Sequence, residues 1–66
     1  MKNKLKIERA IKDITQEDLA KKIGVSRQTI NAMEANKYVP STVLALKIAK
    51  YFDKKVEDIF LLEETD

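Results

Sequence analysis

The chain has 66 residues and contains no cysteine and no histidine. These absences exclude disulfide bonds, thiolate metal sites and cysteine nucleophiles, and they remove the side chain that most often serves as a general base. A chain of this length has room for one small domain, residues 1–66, held together by helix packing. It has neither an apolar run of membrane-spanning length nor the apolar centre of a signal peptide. We therefore expect a cytoplasmic protein with no membrane partner, cofactor, metal site or small-molecule ligand.

Charge is distributed unevenly along the chain, although the formal net charge is only +2 at pH 7. Residues 1–38 hold nine Lys and Arg against five Asp and Glu, a balance of +4. Residues 39–66 hold four against six, a balance of −2. A basic first half suits a surface that meets a polyanion, and an acidic second half suits one that does not. Many neutral surfaces show an imbalance of this size, so other features must decide whether the chain binds a polyanion.

Apolar residues recur at three- and four-residue intervals along most of the chain, which predicts helices. The first helix draws on Ile7 and Ile11, and the fourth, the most apolar, draws on Leu44, Ile48 and Phe52. The predicted helices cover about residues 4–12, 16–23, 27–34, 42–52 and 56–60.

The clearest local signals fall between Thr15 and Glu34. Thr15 is a predicted N-cap, with Asp18 at the capping-box position that follows it. Gly24, the only glycine, lies where the second helix must stop, because glycine adopts left-handed backbone geometry without steric cost. Ser26 is the predicted N-cap of the third helix. Two helices separated by a short turn with glycine form the arrangement that places a recognition helix in the DNA major groove.

The third helix has an unusual outer face. At about 100° per residue, Ile30 and Met33 point toward one side. The opposite side carries amides and alanines where a solvated helix typically has Lys and Glu: Gln28, Asn31, Ala32 and Ala35. Amide and Arg side chains make paired hydrogen bonds to base edges, and alanine permits close approach and contact with a thymine methyl. The pattern favours DNA recognition over the alternative, a polar surface helix without a ligand.

The predicted core combines apolar residues from all five helices. Its members are Leu5, Ile11, Leu19, Ile23, Val25, Ile30, Met33, Leu46, Ile48, Ala49, Phe52, Val56 and Ile59. Four more apolar residues are harder to bury in so small a domain: Leu44, Phe60, Leu61 and Leu62. They either complete the core or form an exposed apolar patch of the kind that marks an interface.

The chain resembles the Cro/C1-type helix-turn-helix repressors, the XRE family. The resemblance rests on TQEDLAKKIGVSRQTINAME at 15–34, followed by NK, PS and LKIAKYF, and it covers about residues 5–60. It implies an all-α, five-helix, lambda repressor-like DNA-binding domain with its helix-turn-helix at 16–34 and its third helix in the major groove of double-stranded DNA. The likeness is greatest to small bacterial and archaeal members that have little beyond this domain.

The resemblance also implies roles for individual residues. Base contacts are implied for Arg27, Gln28, Thr29, Asn31 and Ala32. Contacts to the sugar-phosphate backbone are implied for Gln16, Ser26, Asn36, Lys37 and Tyr38. An ion pair between Arg9 and Glu34 would be structural, because it would tie the first helix to the third.

Two positions depart from the family pattern. Ala35–Asn36 stands where members often have glycine after the third helix, and Asp53 stands where they often have glycine after the fourth. Asn and Asp tolerate left-handed geometry better than most residues, so we expect the fold to persist.

Both ends of the chain are candidates for a further role. In small relatives, a tail after the fifth helix often pairs with an N-terminal arm in a two-stranded β-ribbon that helps to form a dimer. Here Lys2–Lys4 and Phe60–Leu62 could form that ribbon. The predicted dimer interface accordingly lies in the C-terminal segment 56–66, at Phe60, Leu61 and Leu62.

These features predict a transcriptional regulator, a repressor in the first instance, that binds an inverted-repeat operator as a homodimer. Two copies are needed because one small domain makes too few contacts for tight specific binding. The alternative is an antitoxin-like module that neutralises a partner protein through Phe60–Leu62 and regulates its own gene, although the chain lacks the long disordered arm typical of such proteins. An enzyme is a third alternative, but the paired carboxylates Glu17–Asp18 and Glu57–Asp58 are better explained by helix capping and the helix dipole.

Overall fold

The computed structural model describes residues 1–66 and consists of five α-helices and two short β-strands. The longest helix has 11 residues, and no helix is both long and apolar enough to cross a membrane. The predicted helices are confirmed, with ends that shift by about one residue. The elements in chain order are β1 Lys2–Asn3, α1 Leu5–Lys12, α2 Gln16–Ile23, α3 Arg27–Glu34, α4 Thr42–Phe52, α5 Val56–Ile59 and β2 Phe60–Leu61.

Residues with positive φ redirect the chain where four of the helices end. Gly24 (φ 85°) follows α2, and Asn36 (φ 61°) lies just beyond the end of α3. Asp53 (φ 55°) follows α4, so Asn36 and Asp53 both take the geometry in which glycine is common. Asp13 (φ 56°) ends α1 in the same way, a feature that the sequence analysis did not predict. Asn and Asp reach this region more readily than other side chains, so one glycine is enough for the fold.

One apolar cluster forms the core, and every helix contributes to it. Val25 and Val56, predicted as core residues, are half-buried and pack against this cluster. No buried side-chain nitrogen or oxygen lacks a hydrogen-bond partner. The large side chains that are completely buried are Leu5, Leu19, Ile30, Met33, Ile48 and Ile59.

The prediction that Ile11 and Leu46 belong to the core is wrong, because their side chains are 71% and 56% exposed. Apolar residues lie on several sides of α4, so its sequence does not select the buried side. That side includes Phe52, and Leu46 lies about 120° from Phe52 around the helix axis. On α1, Leu5 points into the core, and Ile11 lies about 120° away from it.

Phe60 completes the core and does not belong to an exposed patch. Its side chain is only 7% exposed, and that of Leu44 is 8% exposed. Leu61 is half-buried, whereas Leu62 is 82% exposed. The predicted dimer surface of Phe60, Leu61 and Leu62 is therefore corrected for Phe60, because this side chain is already covered within one chain.

The terminal ribbon is present and forms within a single chain. Strands β1 and β2 pair in antiparallel orientation, with Lys2 opposite Leu61 and Asn3 opposite Phe60. The pairing places the start of the chain beside α5 and the core.

We expect Ile48→Ala to lower the free energy of unfolding by about 2–5 kcal/mol, because it removes a buried side chain and leaves a cavity. Ile11→Ala makes the same chemical change at an exposed position and should alter this free energy by about 0.5 kcal/mol or less. Urea unfolding followed by circular dichroism measures both. Equal losses for the two variants would contradict the packing of α1 described here.

Candidate nucleic-acid interface

The start of α2 is fixed by a capping box, as predicted. The Asp18 N–H donates to Thr15 Oγ1 at 3.0 Å, and the Thr15 N–H donates to Asp18 Oδ2 at 3.0 Å. The hydrogen bonds from Thr15, first from its backbone N–H, hold the pKa of the Asp18 carboxyl below its usual value. Two of the free N–H groups at this helix start are thereby satisfied within the chain.

The turn between α2 and α3 depends on one backbone conformation and one cap. A Cβ at Gly24 would meet no atom within 4 Å, so glycine is favoured there by its positive φ of 85° and not by lack of space. The Thr29 N–H then donates to Ser26 Oγ at 3.1 Å, which confirms Ser26 as the N-cap of α3. The turn at Gly24 and the cap at Ser26 depend only on neighbouring residues. Residues 24–26 therefore set the direction of α3 relative to α2.

Helix α3 places its apolar side in the core and its polar side in solvent. Ile30 and Met33 are fully buried. The residues predicted to contact bases lie on the accessible side: Arg27, Gln28 and Asn31 are exposed, and Thr29 and Ala32 are half-buried. The hydroxyl of Thr29 lies 2.9 Å from Ser26 Oγ and is therefore already engaged. Amide side chains consequently dominate the accessible hydrogen-bonding groups in the middle of this face.

Arg9 joins α1, the α1–α2 connection and α3. Its Nε donates to Glu34 Oε2 at 2.7 Å and its Nη2 donates to Glu34 Oε1 at 3.1 Å, the paired geometry of guanidinium and carboxylate. Its Nη1 donates to the carbonyl of Ile14 at 3.0 Å. The side chains of Arg9 and Glu34 are only 16% and 7% exposed. The ion pair implied by the family resemblance thus exists in the fold and is largely shielded from water.

Gln16 connects this ion pair to the outer face of α3. Its Nε2 donates to Glu34 Oε1 at 3.0 Å, and its Oε1 accepts from Asn31 Nδ2 at 3.4 Å. Gln16 and Arg27 also border the same open cleft beside the start of α2. The two hydrogen bonds orient the Gln16 amide before any ligand arrives. Its contact with a DNA phosphate stays a prediction.

The ion pair determines the protonation of Glu34. Burial raises the pKa of the Glu34 carboxyl, but hydrogen bonds from Arg9 and Gln16 outweigh burial and hold this pKa below its ordinary value. The hydrogen bond to Glu34 raises the pKa of the Arg9 guanidinium. A carboxylate at the C-terminal end of a helix is otherwise disfavoured by the helix dipole, so the guanidinium also compensates for this position.

The loop after α3 is held by Asn3, which the sequence analysis missed. Asn3 Nδ2 donates to the carbonyl of Met33 at 2.7 Å and to Asn36 Oδ1 at 3.1 Å. Asn3 Oδ1 accepts from the Leu5 N–H at 3.1 Å, an Asx turn that leads into α1, whose N-cap residue is Lys4. Asn commonly forms such a bond to the backbone two residues on, and its position shortly before α1 was the available signal. The predicted backbone-contacting residues of this loop, Asn36, Lys37 and Tyr38, are all exposed.

Of the paired carboxylates at helix starts, Asp18 and Asp58 take part in capping. Asp18 bonds to Thr15 as described, and Asp58 Oδ2 accepts from the Lys55 N–H at 3.3 Å. No group of three or more His, Cys, Asp or Glu side chains is arranged to hold a metal ion.

Comparison with known proteins identifies the family. The helix-turn-helix family profile matches residues 5–59, which include all five helices. The chain belongs to the Cro/C1-type helix-turn-helix family. This is a family of DNA-binding transcriptional regulators, and its five-helix fold agrees with the one described above.

Several relatives match over nearly their whole length. An uncharacterized HTH-type transcriptional regulator of Methanocaldococcus jannaschii is 64% identical over 66 residues, covering 100% of both chains. One from Bacillus subtilis is 55% identical over 64 residues, covering 97% of each chain. One from Archaeoglobus fulgidus is 48% identical over 66 residues, covering 100% of this chain and 93% of the relative. The first and third of these matches thus extend beyond the helix-turn-helix to both terminal strands.

We expect Glu34→Gln to lower the free energy of unfolding at neutral pH by about 2–4 kcal/mol, because Arg9 would keep its buried charge without a carboxylate. The wild-type protein should also lose stability as the pH falls below the ordinary Glu value of 4.5. In that range the unfolded chain binds more protons than the folded chain, whose Glu34 pKa is lowered. Glu34→Gln should lack this part of the loss.

Urea unfolding at a series of pH values tests both parts of this prediction. Glu64→Gln is the matched control, since Glu64 is exposed, and it should behave as the wild type. Asp18 and Asp66 also have lowered pKa values, so the variant should keep a smaller acid dependence. A variant with unchanged stability and the full acid dependence would contradict the role given to Glu34.

Proposed function

We propose that this chain is a transcriptional repressor that binds an inverted-repeat operator as a homodimer, with α3 in the major groove of each half-site. The whole chain, residues 1–66, would act as one DNA-binding domain. The observation that carries the proposal is the exposed amide face of α3, which is fastened to the rest of the fold by Arg9 and Glu34. A rigid helix with accessible amides is suited to reading base edges.

Base recognition is proposed for one end and the outer side of α3. Gln28 and Asn31 present accessible amides that can bond two positions of an adenine, and Arg27 can bond guanine in the same paired way. Asn31 Nδ2 donates to Gln16 Oε1 over a long 3.4 Å, so its amide is left free to turn toward a base. Ala32 permits close approach to the groove. We expect Thr29 to contribute less to base recognition, because its hydroxyl is hydrogen-bonded to that of Ser26.

Contacts to the DNA backbone are proposed on both sides of α3. Ser26 lies at the start of α3, where the positive end of the helix favours a phosphate, and Gln16 offers its amide at the start of α2, whose first turn carries Glu17 and Asp18. The first turn of α3 contains no acidic residue that would oppose this. Asn36, Lys37 and Tyr38 form the exposed loop that would press on the backbone beyond the helix. These contacts would supply affinity that falls with salt, whereas the base contacts would supply discrimination.

The proposed dimer contact combines Leu62 with an apolar groove beside α4. The groove has a volume of about 300 Å³, and its lining includes Met1, Val39, Leu46 and Val56. Val39 and Leu46 are 67% and 56% exposed, which is unusual for side chains of this kind in a small domain. The groove includes Val39 and Pro40, which belong to the loop that follows α3. A second copy seated there would hold two recognition helices near each other, as half-sites about 34 Å apart require.

The experiment that tests this function is a gel-shift titration with DNA from upstream of the protein's own gene, against random duplex at about 0.15 M salt. We expect the upstream DNA to contain a two-fold symmetric site that is bound at least about 10³-fold more tightly than random duplex. A duplex with one intact half-site is the control and should be bound far more weakly. Equal weak binding to all three duplexes would exclude the operator model and favour a module that acts through a partner protein.

Single substitutions should distinguish base contacts from phosphate contacts. Gln28→Ala should weaken binding to the operator by about 1–3 kcal/mol while leaving random-duplex binding nearly unchanged, since it removes a base contact. Lys37→Ala should weaken binding to both duplexes alike and reduce the dependence on salt, since it removes a phosphate contact. Titrations at several salt concentrations measure both effects. If the two variants behave identically on both duplexes, the assignment of roles is wrong.

A further inference from the structure

Lys6 belongs to α1, but its exposed side chain lies beside the outer face of α3. It borders an open cleft together with Arg9, Gln16, Asn31, Glu34 and Ala35. Asn31 lies on the outer face of α3, and Ala35 follows directly at the end of this helix. Lys6 therefore faces the same region of solvent as the side chains proposed to read bases. None of the DNA contacts proposed above comes from α1.

The ammonium group of Lys6 has no ion-pair partner within the chain. Arg9 already pairs with Glu34, and the only lysine that forms an ion pair is Lys54. Burial raises the pKa of the Glu34 carboxyl, and hydrogen bonds from Arg9 and Gln16 lower it. The charges of Arg9 and Lys6 lower this pKa further. The Lys6 charge thus acts on Glu34 from beyond ion-pair distance, and its ammonium is available to an external anion.

Lys6 also supplies the excess positive charge along this side of α3. The cleft beside the start of α2 contains two arginines and two carboxylates: Arg9, Arg27, Asp13 and Glu17. The cleft with Lys6 shares Arg9 and Gln16 with it, but it contains two cations against the single carboxylate of Glu34. Because the Arg9 guanidinium and this carboxylate compensate each other, the remaining positive charge is that of Lys6.

The position of this charge indicates that the anion is a DNA phosphate. The major groove is about 12 Å wide, close to the diameter of a helix with its side chains, so a helix in the groove has a phosphate backbone on each side. With α3 in the groove, one backbone runs along the side that carries Gln16 and Lys6. A lysine ammonium binds phosphate as a point charge, without the paired geometry of a guanidinium.

Lys4 is a matched comparison, because it is an exposed lysine only two positions earlier. It borders a different cleft, whose other residues are Glu8, Lys54, Glu57, Asp58 and Leu61. Three carboxylates face two lysines there, so the charge of Lys4 is offset within the chain. That cleft includes no residue of α2 or α3. The two lysines thus differ in their distance from the recognition helix and not in their chemistry.

We propose that Lys6 contacts a DNA phosphate and thereby adds α1 to the DNA interface. It extends the contact that begins at Gln16 toward the C-terminal end of α3, along one strand of the duplex. The ion pair between Arg9 and Glu34 holds α1 against α3, so it also keeps Lys6 beside the recognition helix. The contact supplies affinity and no discrimination between sequences. This inference rests on the proposed placement of α3 in the major groove.

The test is a salt titration of DNA binding by variants of the full chain, on the upstream DNA and on random duplex. Lys6→Gln should weaken binding to both duplexes about three- to tenfold at about 0.15 M salt. It should also reduce the slope of log K against log salt concentration by about 0.9, the value for one lost phosphate contact. Lys4→Gln removes the same charge and should keep the wild-type slope. Lys6→Arg keeps the charge and should retain both affinity and slope.

Equal slopes for Lys6→Gln and Lys4→Gln would overturn the proposal, because the effect would then be one of net charge alone. Both lysines are exposed, so the urea midpoints of all three variants should match that of the wild type. A wild type that binds upstream DNA no more tightly than random duplex ends the operator model, whereas the slopes on random duplex still decide the role of Lys6. A wild type that binds neither duplex would overturn both proposals.

Discussion

The buried ion pair between Arg9 and Glu34 fixes the position of α3, and the proposed interface depends on it. Glu34 stands at the end of a helix whose dipole disfavours a carboxylate, and it is almost completely shielded from water. It is tolerable there only because a guanidinium supplies two hydrogen bonds and an opposite charge. Since the same guanidinium also holds the carbonyl of Ile14, one side chain fastens three segments of the chain.

The ion pair also reaches the surface that would face DNA. Glu34 accepts from Gln16 at 3.0 Å, and Asn31 Nδ2 donates to Gln16 Oε1 over a longer distance of 3.4 Å, so the network extends from the ion pair to an exposed amide on α3. On the other side of α3, Asn3 holds the following loop by bonds to Met33 and Asn36. Both flanks of the recognition helix are therefore positioned by polar contacts to elements outside it.

Some apolar residues of this chain pack in the core, and others remain exposed and available for contacts with other molecules. The core takes apolar residues from all five helices, but Ile7, Ile11, Val39, Leu46 and Leu62 stay exposed. Ile7 and Ile11 lie on α1, and Val39 and Leu46 line the groove beside α4. Neither pair belongs to the amide face of α3. A domain of this size encloses a limited core volume, so apolar residues beyond that volume remain available for contacts with other molecules.

The sequence by itself determined the features that depend on near neighbours. The caps at Thr15 and Ser26 and the turn at Gly24 follow from bonds and dihedral angles within a few residues, and the amide face of α3 follows from helical spacing. Tertiary structure decided which sides of α1 and α4 are buried, that Phe60 completes the core, and that Asn3 holds the loop after α3. The helical period of α1 predicted an inward Ile11, but Leu5 and the ionic contacts of Glu8 and Arg9 required the opposite orientation. These outcomes depend on partners distant in the chain, which local periodicity does not contain.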